Sequence, residues 1–172
     1  MQSSAKLYPT QRRLILVRHA KAVEEDVGGD HARGLSERGR ADAAALGGWL
    51  TEQKIVPELV VCSTAKRTRE TLAALGAAIP TILSDKLYLA TAGEMLVQVQ
   101  ATDDAVKTLM LVAHNPGSHA LLAALVGSYA NEADADKLLL KFPTAACAVM
   151  ELDATRWRDV LPESATLAML RV

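Results

Sequence analysis

Short runs of aliphatic residues, each ended abruptly by polar side chains, recur along this chain. A run that is apolar at nearly every position predicts a strand buried on both faces, as in a parallel sheet. The three strongest strand candidates, with the polar residues that end them, are 14–17 with Arg18 and His19, 58–62 with Ser63, and 108–113 with His114. Because open α/β folds place their sites at the carboxyl edge of the sheet, these polar ends are candidates for chemistry.

The segment after the first strand has the signals of an amphipathic helix. Ser36 is the predicted N-cap, and the helix is expected to run to about residue 53. Within it, the Gly47-Gly48 pair costs helical stability but permits close packing on the sheet. The predicted buried stripe consists of Ala41, Ala44, Ala45, Trp49 and Leu50.

Helices and strands alternate over the rest of the chain. Asn115 at N-cap and Pro116 at N1 predict a helix that runs to about residue 126. Further predicted helices cover 65–74, 92–101 and a segment from about 131, and weaker strands cover 80–83, 147–152 and 166–172. This alternation predicts one α/β domain over residues 1–172, with 1–11 as a loose N-terminal lead. We expect a three-layer α/β/α sandwich with a mainly parallel sheet, to which the two late strands add an antiparallel edge.

The composition is that of a globular protein, since 50 % of the 172 residues are apolar and 23 % are charged. A formal net charge of −1 argues against a nucleic-acid partner. No apolar run approaches the roughly 18 residues of a membrane span, and no signal peptide precedes the first strand, so we expect a cytoplasmic location. Cys62 and Cys147 match no metal spacing and are predicted to be small buried hydrophobes in a reducing compartment, a disulfide being the alternative.

In a parallel sheet the polar strand ends meet at one rim. Arg18, His19 and His114 would then share a crevice with the helix start at Asn115 and with Arg67, which follows the second strand. Paired guanidinium groups bind phosphate oxygens bidentately, and helix N-termini offer free N–H groups to anions. Taken singly, Arg67 is more readily explained as a solvated helix residue and His114 as a core histidine. Their coincidence at three strand ends favours a site for a phosphoryl group.

Five stretches, in order along the chain, carry a recognisable set of motifs. They are 16–21 (LVRHAK), 33–39 (RGLSERG), 63–71 (STAKRTRET), 112–117 (VAHNPG) and 142–146 (FPTAA). Together they resemble the histidine phosphatase superfamily, specifically its small phosphohistidine phosphatase branch of SixA type, which implies a phosphoglycerate mutase-like fold. The chain departs from the family's common residues at Thr64 and Gly34, where proline is frequent, and at Ala113, where glycine is frequent. These departures leave the charged groups intact.

The resemblance implies a phosphatase in which His19 is the nucleophile and forms a phosphohistidine intermediate that water hydrolyses. The implied phosphate- and substrate-binding residues are Arg18, Arg67, His114, Asn115 and, as an outer contact, Arg33. The alternative for Arg33 is that it only contributes to the surface charge. Neighbouring cations disfavour the charged imidazole and stabilise the equatorial oxygens of the transition state, so the scheme needs no metal or other cofactor.

The general acid and the substrate are less closely determined. Larger relatives use a carboxylate to protonate the leaving oxygen of phosphate esters, and Glu94, at the start of a predicted helix, is the candidate by its place in the order of the motifs. A carboxylate in a first helical turn also simply stabilises the helix, which is the alternative. The labile P–N bond of phosphohistidine makes an acid less necessary. The chain is short and has no insertion large enough to form a deep lid over the rim, so we expect an open site that admits phosphohistidine in a partner protein, such as a phosphotransfer domain of a signalling pathway. A small phosphoester or phosphoanhydride metabolite is the alternative.

Two other classes of protein fit parts of the sequence. A cysteine-dependent phosphatase needs an arginine six positions after Cys62, where this chain has Thr68, so that class is rejected. A non-catalytic module that recognises phosphohistidine is a further alternative. Retention of both His19 and His114 favours an enzyme, because binding alone needs no nucleophile.

Overall fold

A central sheet of seven strands organises the structure, a computed structural model that describes residues 12–76 and 78–172. The strands are β1 (Arg12–Arg18), β2 (Leu59–Ser63), β3 (Thr81–Ser84), β4 (Thr108–Ala113), β5 (Val126–Tyr129), β6 (Cys147–Leu152) and β7 (Ala165–Arg171). Their order across the sheet is β3-β2-β4-β1-β6-β7-β5. β1, β2, β3 and β4 run parallel to one another, as predicted. The predicted N-terminal lead, residues 1–11, lies outside the described residues.

Helices cover both faces of this sheet. They are α1 (Glu37–Glu52), α2 (Lys66–Ala74), α3 (Ala92–Gln100), α4 (Gly117–Leu125) and α5 (Ala133–Leu140). Successive residues of a strand point to opposite faces, so Leu14 and Leu16 pack with α3 and α4, whereas Ile15 and Val17 pack with α1. This arrangement confirms the predicted three-layer sandwich. Within the described ranges, no helix is long and apolar enough to cross a membrane.

The antiparallel strand does not lie where the sequence predicts it. β6 pairs antiparallel with both β1 and β7, so it lies inside the sheet and not at its edge. The physical reason is its burial, since the residues 147–150 are covered on both faces. β7 and then β5 lie outside it, and β5 was not predicted because its sequence, VGSY, has one buried residue and follows α4 without a break.

The start of α4 also differs from the prediction. Pro116 occupies the N-cap position, the helix begins at Gly117, and the Asn115–Pro116 peptide bond is cis. Asn115 does not cap the helix because its side-chain amide donates a hydrogen bond to the carbonyl of Phe142 at 2.9 Å. By contrast, the predicted cap of α1 is confirmed, since the Ser36 hydroxyl accepts a hydrogen bond from the Gly39 amide at 3.1 Å.

The two cysteines are buried free thiols, as predicted. Cys62 lies in β2 and Cys147 at the start of β6. Burial raises the pKa of each thiol to about 12, so neither is a reactive thiolate at neutral pH.

Candidate active site

The polar ends of β1, β2 and β4 meet at one rim of the sheet, around a cavity of about 350 Å³. Parallel pairing produces this convergence, because it brings the carboxyl ends of adjacent strands to the same edge. Six of the seven predicted site residues line the cavity: Arg18, His19, Arg33, Arg67, His114 and Asn115. The structure therefore brings together side chains that are up to 97 positions apart in the chain.

His19 follows the last residue of β1 and is held by its own backbone. Its Nδ1 atom lies 2.8 Å from the carbonyl oxygen of Ala20. A carbonyl oxygen can only accept, so Nδ1 carries the proton of the neutral ring and Nε2 has the free lone pair. Burial, together with the charges of Arg67 and Arg18, lowers the pKa of His19 to about 4. The ring is therefore neutral at physiological pH, the state required of a nucleophile.

His114 follows β4 and packs against His19, with 5.1 Å between the ring centroids. Its Nε2 atom lies 2.8 Å from the Ser63 hydroxyl oxygen, and its buried Nδ1 atom has no hydrogen-bond partner in the described structure. Burial, followed by the charges of His19 and Arg67, lowers the pKa of His114 to about 3. His114 is therefore also a neutral imidazole, anchored at one nitrogen by β2.

The two arginines predicted to bind phosphate are both anchored. Arg18 donates to the carbonyl of Phe142 at 2.9 Å, the same oxygen that accepts from Asn115. Arg67 lies in the first turn of α2 and is buried, and it donates to the backbone oxygen and the carboxylate of Asp30 at 2.7 and 3.0 Å. The Nε atoms of Arg18 and Arg67 are buried, and no described residue accepts a hydrogen bond from either. Such donors fit the oxygens of a phosphoryl group.

Asp30 is the site residue that the sequence did not reveal. It is the sole carboxylate among the described residues that line the cavity, where the cations are Arg18, Lys21, Arg33 and Arg67. Arg33 donates to its Oδ1 atom through Nε and a terminal nitrogen, at 3.0 and 2.7 Å. One signal was available, because Asp30 stands three positions before Arg33, a spacing that permits an ion pair in a turn.

Glu94, the candidate general acid, does not line the cavity. It forms a capping box with Thr91 at the start of α3, where its carboxylate accepts from the Thr91 amide at 2.8 Å. This hydrogen bond lowers the pKa of Glu94, whereas a general acid needs a raised one. The structure thus gives Glu94 the helix-stabilising role and separates it from the reaction site.

Comparison with known proteins agrees with this fold. Residues 14–95, which include β1, β2 and α2, match the model of the histidine phosphatase superfamily (branch 1). An uncharacterized protein of Mycobacterium tuberculosis is 38 % identical over 157 residues, which cover 91 % of this chain and 99 % of the relative. An uncharacterized chloroplastic protein of Arabidopsis thaliana is 29 % identical over an aligned region that covers 86 % of this chain and 70 % of the relative.

Solved structures give a finer comparison. A protein of Nakamurella multipartitia named as a phosphohistidine phosphatase SixA is 33 % identical, with a TM-score of 0.83 over 94 % of this chain and 95 % of that one. A protein of Agrobacterium tumefaciens with the same designation is 30 % identical, with a TM-score of 0.78 over 94 % and 97 % of the two chains. The fold and site define a histidine phosphatase. The chain belongs to the histidine phosphatase superfamily, in its SixA-type branch.

Proposed function

We propose that this phosphatase removes the phosphoryl group from phosphohistidine in a partner protein, by way of a phosphorylated His19. The observation that carries the proposal is the hydrogen bond between His19 Nδ1 and the Ala20 carbonyl. It leaves Nε2 as the ring nitrogen with a lone pair, in a cavity lined by arginines. A neutral imidazole beside fixed cations is suited to attack a phosphoryl group.

The reaction has two steps at phosphorus. In the first, Nε2 of His19 attacks, the P–N bond to the substrate imidazole breaks, and the departing nitrogen takes a proton from water. In the second, water attacks the phosphorus, the bond to Nε2 breaks, and inorganic phosphate leaves with release of a proton. Arg18 and Arg67 stabilise the negative charge of the phosphoryl oxygens in both steps, and His114 offers a neutral hydrogen-bonding group beside them. Because the arginines supply the positive charge, the scheme requires no metal ion.

The surroundings of Asp30 support a P–N substrate. Asp30 accepts hydrogen bonds from Tyr88, Arg33 and Arg67, and these hold its pKa below its usual range. An ionised carboxylate cannot protonate the alkoxide that leaves from a phosphate ester. A leaving imidazole nitrogen needs no such acid from the enzyme. The SixA designation of the two similar structures supports the same substrate class, and with it a role in signal transduction in the cytoplasm.

The test compares substrates directly. A phosphotransfer domain phosphorylated on histidine with phosphoramidate, and a panel of phosphorylated metabolites, are each incubated with the enzyme, and kcat/KM is measured from phosphate release. We expect a preference for the phosphoprotein and an acid-labile phosphate on the enzyme that is absent from His19→Ala. The matched control is His119→Ala, a histidine of α4 outside the lining of the cavity, which should keep both properties.

Two results would contradict the proposal in different ways. A higher kcat/KM for the metabolites would overturn the partner-protein substrate and favour a small phosphoester or phosphoanhydride. Binding of the phosphoprotein without turnover, and without label on His19, would instead indicate a non-catalytic recognition module.

A further inference from the structure

We infer that Asp30 is a positioning residue that holds Arg67 in the geometry needed for phosphoryl transfer, an inference that rests on the proposed function. Asp30 begins the short 3₁₀ turn Asp30–Ala32, in the loop that passes over the rim of the sheet. No motif in the sequence pointed to it. Its side chain nevertheless contacts two residues that line the cavity, Arg33 and Arg67, and also Tyr88.

The same residue binds Arg67 at two points. One terminal nitrogen of the guanidinium donates to the Asp30 backbone oxygen at 2.7 Å, and the other donates to Oδ2 at 3.0 Å. A planar guanidinium held at both terminal nitrogens has a defined orientation, and its Nε–H is left for another acceptor. The side chain and the main chain of Asp30 therefore together determine the orientation of the Arg67 guanidinium.

Arg67 needs this partner because of its burial. Its side chain is 2 % exposed, and Asp30 supplies the ion pair that the described structure gives it. A buried guanidinium without a counter-charge is strongly destabilised, and the chain relieves that by rotating the group or by admitting water. Either response would move the positive charge that the phosphoryl oxygens require. The Asp30 side chain is 47 % exposed, so its own desolvation is small.

Asp30 also connects Arg67 to the second histidine. The Tyr88 hydroxyl donates to Oδ2 of Asp30 at 2.6 Å, and the Tyr88 ring packs edge-on against the His114 ring at 5.6 Å. Arg33 occupies the other carboxylate oxygen. The Asp30 carboxylate thus connects Arg33, Arg67 and Tyr88, and the ring of Tyr88 packs against His114.

An acid or base role for Asp30 does not fit these contacts. Each carboxylate oxygen accepts two hydrogen bonds, so the group has no lone pair free to take a proton from water. Its four donors stabilise the ionised form, so it has no proton to give. The geometry therefore supports a positioning role for Asp30.

A double-mutant cycle between Asp30 and Arg67 tests this inference, with kcat/KM for p-nitrophenyl phosphate as the measurement. Asp30→Asn removes the charge at nearly constant size. We expect it to lower kcat/KM by about 10- to 100-fold when Arg67 is present, the effect of losing a charged hydrogen bond, and by less than about 3-fold in the Arg67→Ala background. Equal losses in both backgrounds would overturn the inference, because a general effect on the fold does not depend on Arg67.

Asp26→Asn is the matched control. Asp26 lies in the same loop and is partly exposed, and its carboxylate accepts a hydrogen bond from the Gly28 amide, which asparagine can also accept. This variant should keep kcat/KM within about 2-fold. If Asp30→Asn does not fold cooperatively on heating, Asp30→Ser takes its place in the cycle.

The four proteins of the cycle, namely the wild type, Asp30→Asn, Arg67→Ala and the double variant, are also titrated with tungstate by calorimetry. This binding measurement separates the inference about Asp30 from the proposed function. If the wild-type protein hydrolyses no phosphorylated substrate, the proposed function fails and the binding cycle alone decides. A non-additive effect of Asp30→Asn and Arg67→Ala on tungstate affinity would then support the positioning role. Additive effects would overturn it.

Discussion

The backbone of Ala20 fixes the tautomer of His19. Its carbonyl oxygen lies 2.8 Å from Nδ1 of His19, and its own N–H donates to the Thr71 hydroxyl at 3.0 Å. The backbone of His19 is held as well, since its N–H donates to Ala113 and its carbonyl accepts from Ala145. The Ala20 carbonyl thus orients the His19 ring, main-chain groups of Ala113 and Ala145 hold the His19 backbone, and no side-chain carboxylate is needed to select the reactive nitrogen.

This tautomer predicts the site of phosphorylation. We expect phosphate from a phosphohistidine donor to be found on Nε2 of His19, because Nδ1 is occupied by its proton and its hydrogen bond. Phosphorus–nitrogen couplings in an enzyme labelled with ¹⁵N-histidine distinguish the two isomers. Phosphate on Nδ1 would show that the Ala20 hydrogen bond does not survive substrate binding.

Arg67 is predicted to act through its shape as well as its charge. Arg67→Lys keeps the positive charge, but a single ammonium group cannot reproduce the two contacts with Asp30 and also donate from an Nε–H. We expect kcat/KM to fall by about 10- to 100-fold. Arg69→Lys is the control, because Arg69 is exposed on the same helix, and it should change kcat/KM by less than about 2-fold. Full activity of Arg67→Lys would mean that charge alone suffices.

The elements that form the centre of the site could be predicted from the sequence. Residues 14–17 of β1 and 109–113 of β4 are apolar at every position, which is the pattern of strands covered on both faces. Once both are placed in a parallel sheet, the polar residues that follow them must lie at the same rim. Local pattern and simple topology are therefore sufficient to bring His19 and His114 together.

Asp30 could not be predicted in this way because its partners are distant in the chain. It contacts Arg67, 37 positions away, and Tyr88, 58 positions away. The same loop carries Glu24, Glu25 and Asp26, and the one local signal, the spacing of three between Asp30 and Arg33, does not show that Asp30 folds over the cavity. Only the path of the loop across the rim makes that choice.

The buried face of α1 shows a second limit. The predicted stripe placed Ala41, Ala44 and Ala45 inside, whereas all three are exposed. The buried residues are Gly39, Ala43, Leu46, Gly47 and Leu50. Alanine contributes little to the hydrophobic preference of a face, so in an alanine-rich helix the orientation is decided by the leucines and by the closest contact with the neighbouring helix.

The low pKa of His19 predicts the pH dependence of its phosphorylation. Only the neutral ring attacks, and its pKa is lowered to about 4, so the rate of His19 labelling by p-nitrophenyl phosphate should be nearly constant from about pH 7 to pH 5. Below about pH 4 it should fall by about tenfold per pH unit. Arg67→Ala should move the midpoint upward, because the charge of Arg67 lowers the pKa of His19. A wild-type midpoint near the usual 6.5 would contradict the role of burial and of these charges.

Gly47 and Gly48 are adjacent in α1 but should respond in opposite ways to alanine. A Cβ atom at Gly47 would collide with the backbone carbonyl of Leu75 at the end of α2, whereas one at Gly48 would meet no atom within 4 Å. We expect Gly47→Ala to lower the free energy of unfolding by about 1–3 kcal/mol through overpacking. Gly48→Ala should raise it by up to about 1 kcal/mol, since alanine is the better helix former. Urea denaturation measures both, and equal stabilisation of the two variants would show that α1 and α2 are not in this close contact.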